Sequence, residues 1–371
     1  MAYCLQDAIQ KTRDFYTMKK GAAILQHEFG YFVLDRWVKE GYIKSAQDLN
    51  EICQLDDHGM VYFNNLGWCE TEFCPYFEVK VIEERGDHEL VQDHAGRHVL
   101  FFKGRRSGFM PEYVAHPVTD RSSWERDVKW RMEPDTPGRF DYLSKKIEEM
   151  RDLSDAGAMI GQKVIGGYMY LRSLVGPEGI LYMVYDEPDL VHDMMQTWFK
   201  LADTVIAKHQ QYFTMDELFL AEDICYNHGP LISPDMMREF LFPYYQQLIA
   251  NMKMRQLDKS CHMVIQIDTD GDCRPVLPVY KEIGADYFSP FEVASGCDVV
   301  VLRQQYPELL MRGGIDKRVL AEGKDAIDRM IDYIMPFMTQ HGGFIPMCDH
   351  GVPEEVSFEN FIHYRRRLKE F

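Results

Sequence analysis

The sequence predicts an α/β fold: a (β/α)8 TIM barrel carrying a small N-terminal β-hairpin or meander insertion. Three observations lead there. After residue 150, short apolar runs alternate six times with amphipathic helical stretches, the signature of a parallel sheet with crossover helices. Before residue 150, short period-two segments are separated by turn residues. The chain has 371 residues, more than the about 250 that such a barrel needs. The alternative, an open doubly wound sheet, is weakened because no G-x-G-x-x-G follows a strand.

The expected organisation is an N-terminal part, 1–150, holding the first barrel strands and the insertion, and a main part, 151–371, holding the active site. In the first part, Gly30–Arg36 and Met60–Asn64 read as short strands. Phe77–Glu83 alternates with period two, and His88–Gln92 and His98–Lys103 flank the turn-rich DHAG. Gly104–Gly138, rich in proline, glycine and charge, reads as a connector. In the second part the strands are Met159–Ile165, Glu217–Ala221, His262–Ile267, Ala285–Ser289, Leu309–Arg312 and Gly343–Met347. Between them, Pro188–Phe213 places Leu190, Val191, Met194, Met195, Trp198, Leu201, Ala202, Val205 and Ile206 on one helical face. Pro234–Met254 starts with Ser233 as N-cap and proline at the first helical position. Lys324–Met338 repeats the helical pattern with Ile327, Met330, Ile331 and Ile334. Closing a barrel at eight requires two strands from the N-terminal part.

Composition excludes several classes of function. The net charge of −18 opposes nucleic acid or an anionic membrane as the main ligand. No apolar run is long enough to span a bilayer, and the first twenty residues lack the apolar core of a signal peptide. Nine cysteines, an odd number with no CxxC pair, fit a reducing compartment, and a cytoplasmic protein is expected.

In such barrels the chemistry sits where strands end. Asp268-Thr269-Asp270-Gly271-Asp272 follows the third of the six later strands, and residues two apart on extended chain face the same side. Paired carboxylates hold a cation or raise one another's pKa so that one acts as an acid. A calcium loop is excluded because the twelfth position from Asp268 is Val279 and not glutamate. Glu222-Asp223 follows ELFLA, and only one of the two is expected to face the site, the bland role being a loop or helix-dipole partner. Glu292 follows YFSPF and is either a site residue or a surface acid. Gly313-Gly314 offers close backbone approach to a ligand and Lys317 a charge, against the plainer reading of a tight turn capped by Asp316. Cys348, Asp349 and His350 end the last strand, where histidine is a general acid, a base or a metal ligand. The catalytic candidates are therefore Asp268, Asp270, His350, Asp349, Glu222 and Glu292. The substrate-binding candidates are Asp223, Tyr226, Tyr168, Arg172 and Lys317.

Six segments together resemble one superfamily. They are LRSLVGPEGILYMVYDEPDLVHDMM, EDICYNHGPLISPDMMREFLFPYY, IDTDGD, FSPFEVASGCDV, GGIDKRVLAEG and GGFIPMCDHGVPEEVSFENF, in order across about residues 160–370. The chain resembles the uroporphyrinogen decarboxylase superfamily, which holds true decarboxylases and corrinoid-dependent methyltransferases on a (β/α)8 barrel. The decarboxylases carry an arginine-rich RQAGRY-like segment near the N-terminus, where this chain reads FGYFVLDRWVKEGYIKS. His350 falls where they carry a histidine in their final loop. In the methyltransferases, a His-x-Cys pair and a distant cysteine hold zinc. The resemblance places Asp268-x-Asp270 and Cys348 at those positions, implying zinc on Asp268, Asp270 and Cys348.

The resemblance thus implies an O-demethylase type methyltransferase. Such an enzyme passes a methyl group from a methoxylated, aromatic compound to cobalamin on a corrinoid protein partner. A homodimer is compatible with this reading. The runner-up is a cofactor-free decarboxylase using Arg172, Arg303 and Lys317 to hold substrate carboxylates. A barrel serving only as a binding scaffold is the third alternative.

Overall fold

The computed structural model describes residues 2–56, 59–106 and 111–371. In chain order its strands are β1 (Met60–Phe63), β2 (Lys80–Arg85), β3 (His88–Gln92), β4 (His98–Phe102), β5 (Glu112–Ala115), β6 (Met159–Ile165) and β7 (Glu217–Ala221). They continue as β8 (Cys225–Tyr226), β9 (Gly229–Pro230), β10 (Val264–Asp268), β11 (Tyr287–Phe291), β12 (Leu310–Ile315) and β13 (Phe344–Cys348). A curled sheet of seven strands runs β1-β6-β7-β10-β11-β12-β13 with every described pair parallel. With its crossover helices it forms a (β/α)8 TIM-barrel-like fold. All six strands expected after residue 150 are present, within two or three residues at their ends.

The expected faces pack as read. The helix Pro188–His209 buries Leu190, Val191, Met194, Met195, Trp198, Leu201, Ala202, Val205 and Ile206. Ser233 caps its helix by accepting from the Met236 amide at 3.2 Å. That helix passes through a π turn, Met237–Leu241, before Phe242–Arg255 continues it. Near the N-terminus, β2-β3-β4-β5 forms the antiparallel meander.

Two expectations near the N-terminus need correction. Gly30–Arg36 is not a strand: Tyr31 makes one isolated bridge to Val352, and Leu34–Lys39 is helical. Trp37 must bury against Phe358 and Phe361, with ring centroids at 5.5 and 5.1 Å, and a helical turn puts it there. The β-rich composition loses to that tertiary demand. The eighth barrel position is therefore taken by chain outside any named strand. Gln26 exchanges bonds with Asp56 just ahead of β1, while Glu28 accepts from the Cys348 amide at the end of β13 at 2.9 Å. This leaves a seam in the ring between β13 and β1. The Gly104–Gly138 connector also holds more structure than expected. It contains β5 and helical turns over Arg121–Met132 that bury Trp124, Val128 and Met132. Its residues 107–110 lie outside the described residues.

Candidate active site

A cavity of about 510 Å³ opens at the carboxyl ends of the strands. It is lined by Asp223, Asp268, Asp270, Arg172 and His350, with Phe29, Trp68, Cys69, Met169, Ser173, Pro177 and Ala221. The meander and the chain after it close one side through Arg97, Tyr113 and His116.

Asp268 is the last residue of β10. Its Oδ1 accepts from the Ser289 hydroxyl at 2.6 Å, and that oxygen accepts from Gln266 Nε2 at 2.8 Å. Burial pushes the Asp268 carboxyl up to about 6. The loop then brings Asp270 to the same cavity. Its side chain stays 44% exposed toward the mouth, and its partial enclosure, followed by the charges of Asp223, Asp268 and Glu292, pushes it up to about 7. The loop can turn there because Gly271 has φ of 77°, and a Cβ on it would meet the Tyr226 backbone at 2.6 Å. Glu292 fixes the turn by accepting from the Gly271 amide at 2.9 Å.

After β7 the chain kinks at Asp223, whose φ is 41°. The amides of Glu222 and Asp223 both donate to the Asp268 carbonyl, at 2.9 and 3.0 Å. The kink separates the two acids as expected. Asp223 faces the cavity and pairs with Arg172 Nη1 at 2.7 Å. Glu222 turns into the core, where it accepts from the Tyr245 hydroxyl at 2.5 Å and the Tyr168 amide at 3.0 Å. Gly166 makes room for it, since a Cβ there would overlap the Glu222 carboxylate. Burial pushes Glu222 up to about 7, yet it does not reach the cavity.

His350 Nε2 lies 3.9 Å from Asp270 Oδ2. Its ring sits between Phe29 and Phe32, with centroids at 4.9 and 5.4 Å. Burial, then the charge of Lys317, lowers its pKa, so the neutral ring is favoured. Asp349 is different: it is wholly buried and accepts from the amides of Val293 at 2.9 Å and Lys317 at 3.3 Å. Burial raises its pKa. Lys317 bridges it to Glu292, at 3.4 and 3.1 Å. Burial opposes the lysine charge, but these two acids outweigh it and hold its pKa up. Asp349, Glu292 and Lys317 therefore clamp three strand-end loops together beside the cavity.

Gly313 and Gly314 serve packing and not a ligand. A Cβ on the first would meet the Pro290 backbone at 3.1 Å, and on the second Val299 at 2.3 Å. Tyr226 is exposed on the β8–β9 hairpin, and Tyr168 is buried with its hydroxyl unpartnered; neither lines the cavity.

Cys348 is the clearest departure from expectation. Alternation along β13 turns Met347 toward Arg312, whose Nε lies 3.0 Å from its sulfur, and turns Cys348 the other way. Its thiol is fully buried beside Glu28, and burial raises its pKa well above the ordinary range. Among the described residues no group of three or more His, Cys, Asp or Glu side chains is placed to hold a metal ion. The set Asp268, Asp270 and Cys348 is thus not assembled as a zinc site.

Comparison with known proteins gives this geometry a family. The profile of uroporphyrinogen decarboxylase (URO-D) matches residues 107–371, well over half of the chain. The chain belongs to the uroporphyrinogen decarboxylase family. Among solved structures it is similar to a methyltransferase from Methanosarcina mazei, at 15% identity and a TM-score of 0.57, covering 97% of this chain and 98% of that one. A weaker likeness is to a putative vitamin-B12 independent methionine synthase from Listeria monocytogenes, at 16% identity and a TM-score of 0.31, covering 61% and 68%. At 15% identity the likeness to the Methanosarcina mazei protein bears on the fold alone. No curated protein matches. No helix among the described residues is long and apolar enough to cross a membrane.

The strand-end rule, applied to β1 as a barrel strand, would have pointed to Trp68 and Cys69. Nothing in the sequence signalled Arg97, Tyr113 and His116, which reach the mouth only through the folding of the meander.

Proposed function

We propose that this member of the family is a corrinoid-dependent methyltransferase. It takes a methyl group from a methoxylated aromatic compound and transfers it to cobalamin on a partner protein. The observation that carries this reading is one apolar-walled cavity holding two carboxyls, Asp268 and Asp270, whose pKa values burial has pushed up to about 6 and about 7. Near neutral pH a substantial fraction of Asp270 carries its proton and can donate it.

An aryl methyl ether is a poor methyl donor because phenolate leaves badly, and protonation of the ether oxygen lowers that barrier. A Co(I) corrinoid on the partner supplies the nucleophile that accepts the methyl group. As the carbon–oxygen bond breaks, its electron pair stays on oxygen, and Asp270 delivers the proton there. Asp268, held by Ser289, is the second acid. His350, favoured as the neutral ring and 3.9 Å from Asp270, is placed to accept a hydrogen bond from the released phenol. Trp68, Met169 and Phe29 offer apolar surface to the ring, and Arg172 holds Asp223 in place. The residues present do not fit the zinc set implied by the resemblance, so the chain's own carboxyls carry the activation.

The same geometry disfavours a decarboxylase acting on a polyanion. Three carboxyl groups face the cavity, while Arg97 is bound to Glu70 and Asp93 and Arg172 to Asp223. Arg303 is buried against backbone carbonyls, and Lys317 is held by Glu292 and Asp349. The test is incubation with a reduced corrinoid protein and a panel of methoxyarenes. Release of the phenol with methylation of the corrinoid is expected. No transfer across a broad panel, or carbon dioxide release from a porphyrinogen, would overturn the reading.

A further inference from the structure

The lower half of the barrel holds a second cavity, of about 400 Å³, beside the seam. A barrel interior is ordinarily filled by layers of branched apolar side chains. Here the cavity is bordered instead by Lys163, Arg312, Tyr16, Tyr62 and Tyr287, with Lys146 and Asn64 among its other polar lining residues.

The two inner cations have no ion pair among the described residues, and the charges of Glu217 and Asp268 act on them only through space. The Lys163 ammonium lies over the rings of Tyr62, Trp68 and Phe219, at 4.6, 5.0 and 5.2 Å from their centroids. Arg312 meets the Met347 sulfur and the Tyr287 hydroxyl. Among the described residues no carboxylate forms an ion pair with either. The acid in the same layer, Glu217, has its oxygens occupied by the hydroxyls of Tyr16 and Tyr62. Two cations taken from water without a bonded counter-charge are costly unless something completes them. An arginine fork beside a lysine suits a carboxylate held by two parallel bonds.

We propose that the seam cavity is a binding site for a small organic monocarboxylate with an apolar body. Arg312 and Lys163 grip the carboxylate, and Tyr62, Tyr287, Leu25 and Ile345 receive the body. The site is separate from the mouth: of the two cavities' lining residues, none is shared.

Titration calorimetry with benzoate tests this, with benzamide as the neutral counterpart. Benzoate is expected to bind saturably and benzamide at least tenfold more weakly. Arg312→Gln and Lys163→Met are each expected to weaken benzoate tenfold or more, while Arg172→Gln at the mouth leaves it unchanged. Affinity that follows Arg172, or equal binding of benzamide, overturns the proposal. Because the interior variants put folding at risk, a second measurement uses the unaltered chain. A crystal soaked with 4-bromobenzoate is expected to show bromine density in the seam cavity on the side of Leu25 and Ile345, away from Arg312; density at the mouth alone, or none, overturns it.

Discussion

Two pairs of carboxyl groups at the strand ends invite comparison. Asp268 and Asp270 line the mouth cavity; Glu222 and Asp349 lie behind it. Burial raises the pKa of all four. They differ in what their oxygens do. Glu222 and Asp349 spend both oxygens on backbone amides, a tyrosine and a lysine. The Asp268 carboxyl has one described hydrogen bond, from Ser289, and the nearest described partner of the Asp270 carboxyl is His350 at 3.9 Å. A raised pKa therefore marks burial, and an oxygen left open to a cavity marks the candidate acid.

The strongest way to break this comparison is to neutralise each pair. Asp268→Asn and Asp270→Asn are each expected to lower methyl transfer by about 100-fold or more, the usual range for loss of a general acid, with little change in melting temperature. Steady-state rates and thermal denaturation check both halves. Asp349→Ala is expected to act on stability, by about 2–4 kcal/mol, because it strands two amides and Lys317. Denaturant melts measure it, and a loss under about 1 kcal/mol would remove the clamp role.

The pH profile sharpens the distinction. A proton-donating Asp270 with pKa about 7 is charged above that value, so the transfer rate should fall as pH rises, by about tenfold per unit well above 7. A rate rising through the same window would make these groups bases. For Glu222 the consequence falls on stability. Its folded pKa, about 7, lies above the ordinary 4.5, so the folded state binds the proton more tightly. That contribution is complete below about 4.5 and is lost as pH rises to 7, on the order of a few kcal/mol. Glu222→Gln should flatten this part of the wild-type stability curve. The smallest effect is expected at Cys348→Ala, with transfer retained within about threefold if the thiol is only packing. A large loss accompanied by loss of bound zinc would restore the metal reading.

Much of this was legible in the sequence. Six strands follow from short apolar runs bounded by loops and helices, and the buried face of Pro188–His209 follows from a long, strongly patterned helical stretch. Asp268, Asp270, Asp223 and His350 follow from their places at strand ends. Cys348 was misplaced by one step of alternation: a single residue along a strand separates the inward face from the outward one. Gly30–Arg36 was misread because its composition suits a strand while the burial of Trp37 does not. The mouth-facing side of the meander depends on contacts across long sequence separation, which no local pattern encodes.

The seam has a mechanical consequence. A closed ring of strands resists opening everywhere equally, whereas the described strands of this one end at β1 and β13, and the chain around Gln26 and Glu28 spans the gap with a few bonds. Breathing should be widest there, and backbone amides along those borders should exchange with deuterium soonest. The strand that ends in Asp268 is β10, the middle of the seven, with three strands on either side. The ring can flex at its gap while the carboxyl opposite stays near the still point of that motion.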